Sequence, residues 1–388
     1  MMLNMYIDIV GACNLSCPSC PMGNSENENF RKAMQIDMFK QIVDKARREG
    51  VESIFLYNWT EPLIHPRIGE FVEIINAAGM QSGISSNLNL AKNMETAMLA
   101  NPWFFRISLS GFYQETYAQG HVGGDIEVVK QNMIKLHDLK QRHGLTTIIE
   151  VYYHRYLDNL EEEGLMREFS ERLGFKFSTG FSVMMPLEKT FAIVEGDVSV
   201  TDTDRDTLKR LALPPYEDLV NLVKHYPKQA CTLKDDWLVL DCNGNTVLCC
   251  TIFKQSEYSV GKYLDMPVQE LMSRKSTQSN CVDLCNRCAK NGLHIYSASP
   301  NHGPLENHAV NRIIDFQRRT ILEQPIESEK LGRAGEVRAE HFDEAQYLRM
   351  NADVNAAVAA GGFTSGYQHY VLHGRLEGRL GAGSSTIV

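Results

Sequence analysis

Three cysteines near the start of the chain have a residue type and spacing suited to binding iron. Cys13, Cys17 and Cys20 lie in the segment C-N-L-S-C-P-S-C, with three residues and then two between the sulfurs. Cysteine thiolates at such short spacings hold [4Fe–4S] clusters. Three thiolates from one loop leave one iron without a protein ligand, and an open coordination site is where a metal centre does chemistry. The residues alone also allow a zinc knuckle or scattered buried thiols, although zinc sites prefer two CxxC-like pairs.

The spacing resembles the CxxxCxxC signature of the radical S-adenosylmethionine (SAM) superfamily. The resemblance implies that the open iron chelates the amino and carboxylate groups of SAM. It also implies that an electron from the cluster cleaves SAM to methionine and a 5′-deoxyadenosyl radical, which abstracts a substrate hydrogen. Ser19 departs from the family pattern, in which the residue before the third cysteine is usually aromatic.

The elements around this loop predict a chain of βα units. Short apolar strands are expected at 6–10, 53–57, 80–85, 104–109, 146–153 and 176–183. Stripes of apolar residues at helical spacing lie between them, as at Ile126, Val129, Met133 and Leu136. Strands that alternate with helices give a parallel sheet with right-handed crossovers. We predict an α/β fold, a partial (β/α)6 TIM-like barrel, which is also the core fold of the radical SAM family.

Polar residues follow the predicted strands, where barrels place their reactive groups. Glu61 lies in N-W-T-E-P after the second strand, which is similar to the GGEP segment that binds the SAM amino group in the family. Asn87 follows the third strand in a TNG-like turn. Ser108 and Ser110 end the fourth in S-L-S-G, similar to the family segment near the SAM ribose and carboxylate. The resemblance makes these four residues candidate SAM contacts. Without it, each is an ordinary loop or turn residue.

The other seven cysteines lie between residues 231 and 288. Alternating residues around Asn243-Gly244 predict a β-hairpin that Cys231 precedes and Cys249 ends. The layout resembles the twitch domain, a shortened relative of the SPASM domain of radical SAM enzymes. The resemblance implies one auxiliary [4Fe–4S] cluster held by Cys231, Cys249, Cys285 and Cys288. A structural zinc site on the same four cysteines is the alternative.

Three cysteines remain outside that set. Cys242 and Cys281 are expected to be small buried residues or alternative ligands, since free cysteine is often buried. Cys250 adjoins a predicted ligand, so its thiol is also a candidate hydrogen donor to a substrate radical. Packing is the favoured interpretation of Cys250.

Composition excludes several classes of function. The chain has 388 residues and a net charge of −9, which disfavours general binding to nucleic acids or anionic membranes. No segment has the pattern of a signal peptide or the length of an apolar membrane span. Ten cysteines without a secretion signal indicate a reducing cytoplasm and metal ligation in place of disulfides.

Four regions are expected along the chain. The barrel takes residues 1–190, the small α+β twitch-type domain with its lead-in helix 191–300, a helix and linker 301–340, and a helical C-terminal module 341–388. The last region resembles a module appended to bacterial surface-polysaccharide proteins, and we expect it to dock another protein. His369 and His373 lie at i and i+4 there, but no metal is assigned to them.

These interpretations predict a radical SAM oxidoreductase or epimerase that acts on a polar small molecule, with a sugar or glycan precursor favoured. Because the barrel begins by residue 6, we expect no leader-binding domain ahead of it. A flavodoxin or ferredoxin is the expected electron donor. The alternatives are a radical SAM maturase that crosslinks ribosomal peptides and a non-catalytic iron–sulfur or zinc protein.

Overall fold

The computed structural model describes residues 3–27, 29, 31–196, 200–213, 231–277, 288, 309, 311–314, 316 and 342–374. The chain divides into two compact units, Met1–His302 and Gly303–Val388. The predicted linker region 301–340 lies almost wholly outside the described residues. The predicted cluster-region residues Cys281 and Cys285 also lie outside the described residues.

A nine-stranded sheet forms the frame of the first unit, in the order β6-β5-β4-β3-β2-β1-β7-β8-β9. Neighbouring strands from β1 to β6 run parallel and follow one another in sequence. This is the mostly parallel α/β sheet predicted for a partial TIM-like barrel. The strands are β1 Leu3–Ile7, β2 Val51–Phe55, β3 Gln81–Ser86, β4 Phe104–Leu109, β5 Ile148–Arg155, β6 Lys176–Phe181, β7 Trp237–Leu240, β8 Asn245–Val247 and β9 Ser259–Lys262.

Helices fill the connections between the parallel strands and bury their apolar faces against the sheet. Phe39, Phe71 and Met133, from three different helices, are completely buried in one core with the strand residues. The described helices of the first unit are Pro21–Asn24, Ile36–Arg48, Ile68–Ala77, Met94–Leu99, Gln114–Gly120, Ile126–His143, Leu160–Arg172, Leu187–Glu195, Asp202–Arg210, Thr232–Asp235 and Val268–Thr277.

The first strand begins and ends earlier than the sequence predicts. Within the run that suggested residues 6–10, residues 7–10 are buried, including Ile9 and Val10, but strand pairing covers Leu3–Ile7. Partners on both sides fix this register, since β1 pairs with β2 and with β7. Burial alone therefore did not locate the end of the strand. The shift brings Asp8 to the carboxyl end of β1.

The predicted β-hairpin is present as β7 and β8, with Val239 opposite Val247. The Asp241 Oδ1 atom accepts the backbone N–H groups of Asn243 at 2.9 Å and Asn245 at 2.8 Å, and Gly244 has a φ of +77°. The pairing of β7 with β1 is parallel, so the hairpin extends the barrel sheet. The sheet thus runs across the predicted boundary at residue 190.

The second unit has its own small aromatic core. Tyr347, Val354 and Tyr370 are buried there, and the Phe342 ring packs against Tyr347 with 5.0 Å between the ring centroids. Its described helices are Glu344–Met350, Ala352–Ala359 and Gly366–His369, followed by a π-helical turn at Tyr370–Gly374. Across the described residues of both units, no helix combines the length and the hydropathy needed to cross a bilayer.

Candidate active site

The loop that carries Cys13, Cys17 and Cys20 follows β1 and is fixed by contacts at both ends. The Ser16 N–H donates to the Val122 carbonyl at 3.0 Å. The Asn24 amide donates to the Pro18 carbonyl at 2.9 Å and to the Met185 carbonyl at 2.8 Å, which joins the loop to the segment after β6. All three cysteines line a common cavity and are half-buried.

The donor set fits a cluster with three protein ligands. Burial raises the pKa of Cys13 to about 12 and that of Cys20 to about 11, and electrostatic repulsion among the thiols adds to the effect at Cys13 and Cys17. A metal centre would offset that repulsion by binding the thiolates. Within the described residues, no three His, Cys, Asp or Glu side chains surround one metal-ion position. A four-iron cluster does not need such a site, because each thiolate binds a different iron.

Glu61 lies at the carboxyl end of β2, on the same cavity. Its Oε1 atom accepts the Leu63 N–H at 3.0 Å and the Ser86 hydroxyl at 2.8 Å, and Oε2 accepts the Asn87 N–H at 2.9 Å. The side chain is buried, and burial raises its pKa to about 7 despite these three donors. One acceptor position on Oε2 therefore remains for a further donor such as an ammonium group.

Asp8 is a site residue that sequence reasoning missed. Its Oδ1 atom accepts the backbone N–H groups of Asn58, Trp59 and Thr60 at 3.0 to 3.2 Å, and the Thr60 hydroxyl at 2.7 Å. Burial raises the pKa of Asp8 to about 6. One buried carboxylate thus shapes the segment that presents Glu61. A charged residue within the apolar run 5–10 was the available signal.

Replacing Asp8 by Asn should lower the free energy of unfolding by about 1–3 kcal/mol, because a neutral amide oxygen accepts the four hydrogen bonds at Oδ1 more weakly than a carboxylate oxygen does. Urea denaturation of the metal-free chain measures this. The control is Asp37→Asn in the exposed first turn of Ile36–Arg48, which should unfold as the parent does. Equal midpoints for all three proteins would show that Asp8 does not hold this segment in place.

The cavity has a volume of about 390 Å³ and opens at the carboxyl ends of the strands. Ser108 lines it and bonds His154 through Oγ and Nε2, 2.6 Å apart. Ser110 does not line it; this side chain is buried behind Gly120 and bonds His121 at 2.7 Å. Burial lowers the pKa of His154 to about 4 and of His121 to about 3, so both rings are neutral at pH 7.

Asn87 and Ser19 are also in the cavity wall. The Asn87 amide donates to the Asn14 side chain at 3.0 Å and lies 3.8 Å from the Cys13 sulfur. The Ser19 hydroxyl is 3.0 Å from that of Tyr156, which contributes an aromatic ring to the same wall. The cavity therefore has an aromatic residue beside Ser19, supplied by the segment after β5.

Charges near the cavity are paired with one another. Arg155 donates to the two Glu163 carboxylate oxygens at 2.6 and 2.9 Å. Arg106 binds Glu150 at 2.7 Å. Among the described residues that line the cavity, Glu61 has the one charged side chain other than the cysteines. The rest of the wall is hydroxyl, amide, imidazole, aromatic or apolar.

Residues 7–162 match the family model described as the radical SAM superfamily. This part of the chain is a radical SAM domain. The match runs from the last residue of β1 to just beyond β5, and it includes the three-cysteine loop and all four candidate SAM contacts. A [4Fe–4S] cluster and SAM are the cofactors of such a domain, and the thiols and Glu61 described above fit them.

One curated relative and several solved structures are similar to this chain. The chain is 26% identical over 153 residues to the tungsten-containing aldehyde ferredoxin oxidoreductase cofactor-modifying protein of Pyrococcus furiosus, a match that covers 38% of this chain and 42% of that relative. The chain thus matches less than half of that relative's length. Streptococcus suis SuiB bound to SAM has a similar fold, with a TM-score of 0.51, 14% identity and coverage of 73% of this chain and 68% of SuiB. SuiB bound to its precursor peptide SuiA gives a TM-score of 0.50, with 14% identity and coverage of 73% and 66%.

A second group of cysteines lies beside the radical SAM domain, at the end of the β7–β8 hairpin. Cys249 is buried and interacts electrostatically with Cys231, and Cys288 packs against the same apolar cluster as Cys249. Hydrogen bonds from Cys250 and Thr251 lower the pKa of Cys249. Cys285 lies outside the described residues. Three of the four predicted ligands are therefore in one region, and the ligand set stays a prediction.

Cys242 lies elsewhere, in the hairpin turn, where it interacts with Asp8 and Asp241. It is buried, as the sequence suggested for a residue that is not a ligand.

Two residues join the cavity to the second cysteine group. The Tyr57 ring lines the cavity and packs on Tyr6, with 5.4 Å between the ring centroids and a hydrogen bond between the phenols. Both phenols interact electrostatically with Cys250. The Trp59 indole N–H also donates to the Ile252 carbonyl at 3.0 Å, three residues after Cys249. The two groups of cysteines are thus linked through packed side chains.

Proposed function

We propose that this protein is a radical SAM oxidoreductase or epimerase that acts on an uncharged polar small molecule, with a sugar or glycan precursor as the favoured substrate. Cys13, Cys17 and Cys20 would hold the SAM-binding cluster, and Glu61 would receive the SAM ammonium group. When bound, this cluster and SAM supply a 5′-deoxyadenosyl radical that abstracts one substrate hydrogen atom.

The chemistry of the cavity wall supports an uncharged substrate. Neutral hydroxyl and imidazole groups such as Ser108 and His154 exchange hydrogen bonds with substrate hydroxyls, and Tyr57 and Tyr152 offer aromatic faces to C–H groups. A phosphate or carboxylate would need a cation, and Arg106 and Arg155 are already held by carboxylates.

The observation that carries the proposal is the path from the cavity through the Tyr57 and Tyr6 rings to the apolar cluster that contains Cys249 and packs against Cys250. It supports an auxiliary cluster, held by Cys231, Cys249, Cys285 and Cys288, within reach of the substrate. Held there, the cluster would supply a one-electron acceptor, so that a substrate carbinol radical that loses its O–H proton and one electron would become a carbonyl. A ferredoxin or flavodoxin would be the electron donor for SAM cleavage, and its oxidised form would then take the electron from the auxiliary cluster.

Epimerisation uses the same geometry differently. A hydrogen atom from the Cys250 thiol would form a new C–H bond on the opposite face of the substrate radical. The resulting thiyl radical would return to a thiol by taking one electron from the auxiliary cluster and one proton. Packing remains the alternative role for Cys250, which is half-buried against the core that contains Cys249.

A peptide substrate is the second candidate. It is favoured by the fold shared with SuiB, which has been solved with its precursor peptide. The role of the C-terminal module as a docking element for another protein also stays a proposal.

Anaerobic reconstitution tests the proposal. We expect about eight irons per chain, four for each cluster, and 5′-deoxyadenosine from SAM when dithionite is added. Zinc in place of iron, or intact SAM, would leave a non-catalytic metal protein as the better interpretation. Solvent deuterium at carbon in the product indicates epimerisation, and a product two hydrogens lighter indicates oxidation. Retained epimerisation in Cys250→Ala would exclude that thiol as the donor.

A further inference from the structure

Lys275 is a buried cation that the radical SAM domain does not use. It lies near the end of the helix Val268–Thr277 and is completely buried. Its ammonium group donates a hydrogen bond to the Trp237 carbonyl. The short helix Thr232–Asp235, which directly follows Cys231, contacts the helix of Lys275, and the Lys234 ammonium lies 3.3 Å from the Ser276 hydroxyl. The favourable electrostatic interactions of Lys275 are with Cys249, Cys250 and Asp235. A lysine is therefore placed inside the protein next to the second cysteine group.

Burying an ammonium group costs several kcal/mol unless negative charge lies nearby. A [4Fe–4S] cluster with four thiolate ligands has a net negative charge, and reduction adds one more negative unit. A fixed cation beside the ligands consequently stabilises the reduced form more than the oxidised form. Net charge and solvent exposure are among the factors that set the potential of such clusters.

We propose that Lys275 is a positioning residue that raises the reduction potential of the auxiliary cluster, making it a better acceptor for an electron from the substrate radical. This inference rests on the auxiliary cluster of the proposed function. The effect would be large for Lys275 because the surrounding protein, with few mobile ions, screens its charge weakly. It favours oxidation of the substrate, since the electron is held more tightly once transferred.

The neighbouring Arg274 provides a matched control. It belongs to the same helix and has the same charge, but its side chain is 43% exposed and pairs with Glu270 at 2.6 Å. Solvent and salt screen this charge, so its removal should leave the potential unchanged.

The experiment is an EPR-monitored redox titration of the full chain with Cys13, Cys17 and Cys20 replaced by Ala, so that only the auxiliary cluster remains. Lys275→Met and Lys275→Gln should make one-electron reduction at least tenfold less favourable, a shift of about 59 mV to lower potential. Lys275→Arg and Arg274→Met should stay near the parent value.

Two results would overturn the inference in distinguishable ways. A parental potential in Lys275→Met or Lys275→Gln, at about four irons per chain, would show that Lys275 does not tune the cluster. If the chain with the three Ala replacements and native Lys275 binds no iron, the proposal of an auxiliary cluster is wrong, and so is the role of Lys275. If the Met variant does not load iron, the Gln and Arg variants still compare a neutral with a charged residue.

Discussion

Replacing Cys13, Cys17 and Cys20 together by Ala should reduce SAM cleavage to the rate of the protein-free reaction while leaving the auxiliary cluster in place. The three thiols come from one loop and line one cavity, so no other described thiol can substitute for them there. Bound iron should fall by about four per chain, to about half of the parent content. Iron analysis and chromatography of 5′-deoxyadenosine measure the two effects on the same sample.

Cys242→Ala is the matched control for the triple replacement. Cys242 is buried in the β7–β8 turn and is not a wall residue of the cavity, so its loss removes a thiol without removing a predicted ligand. Its variant should keep the parent iron content and SAM cleavage. A triple variant that still forms 5′-deoxyadenosine at the parent rate would contradict the assignment of the loop as the site of SAM chemistry.

The cysteine loop and Glu61 could be predicted because each has a local signature. Three thiols within eight residues indicate a metal cluster without knowledge of the fold. An acidic residue after a buried strand is expected at the carboxyl end of a barrel, where barrels carry their reactive groups. The structure puts both on one cavity. Local patterns thus identified these cavity-lining residues, because they are confined to short segments.

Residues that act across the fold could not be found in this way. Asp8 meets the segment 58–60 from a sequence distance of about fifty residues, and nothing in either segment specifies the other. The pairing of β7 with β1 is similar, since alternation predicts a hairpin but not the strand it joins. The sequence indicates the burial of Lys275 only weakly. This lysine shares the i, i+3, i+4, i+7 face of its helix with the apolar residues Val268, Leu271 and Met272.

Glu61→Gln should weaken SAM binding by about 10- to 150-fold, because a charge-assisted hydrogen bond contributes about 1.5–3 kcal/mol. Gln keeps the size of the side chain and an acceptor oxygen, but it removes the negative charge that would pair with the SAM ammonium. Anaerobic equilibrium dialysis with labelled SAM measures the affinity. Glu188→Gln is the control, since Glu188 Oε1 also accepts two backbone N–H groups, at 2.9 and 2.8 Å, but lies outside the cavity wall. That variant should bind SAM as the parent does.

The stability of the same variant separates a binding role for Glu61 from a structural one. Burial raises the folded-state pKa of Glu61 to about 7, above its ordinary value of 4.5. A carboxyl group with a raised pKa gives its full stability below pH 4.5 and loses it as the pH rises through 7. The amide nitrogen of Gln costs the same hydrogen bond at every pH. The free energy of unfolding of the SAM-free Gln variant should therefore rise relative to that of the parent as the pH goes from 5 to 8, as urea denaturation measures. If the carboxylate instead serves the structure, its replacement should lower the free energy of unfolding most at pH 8, and the affinity for SAM should not change.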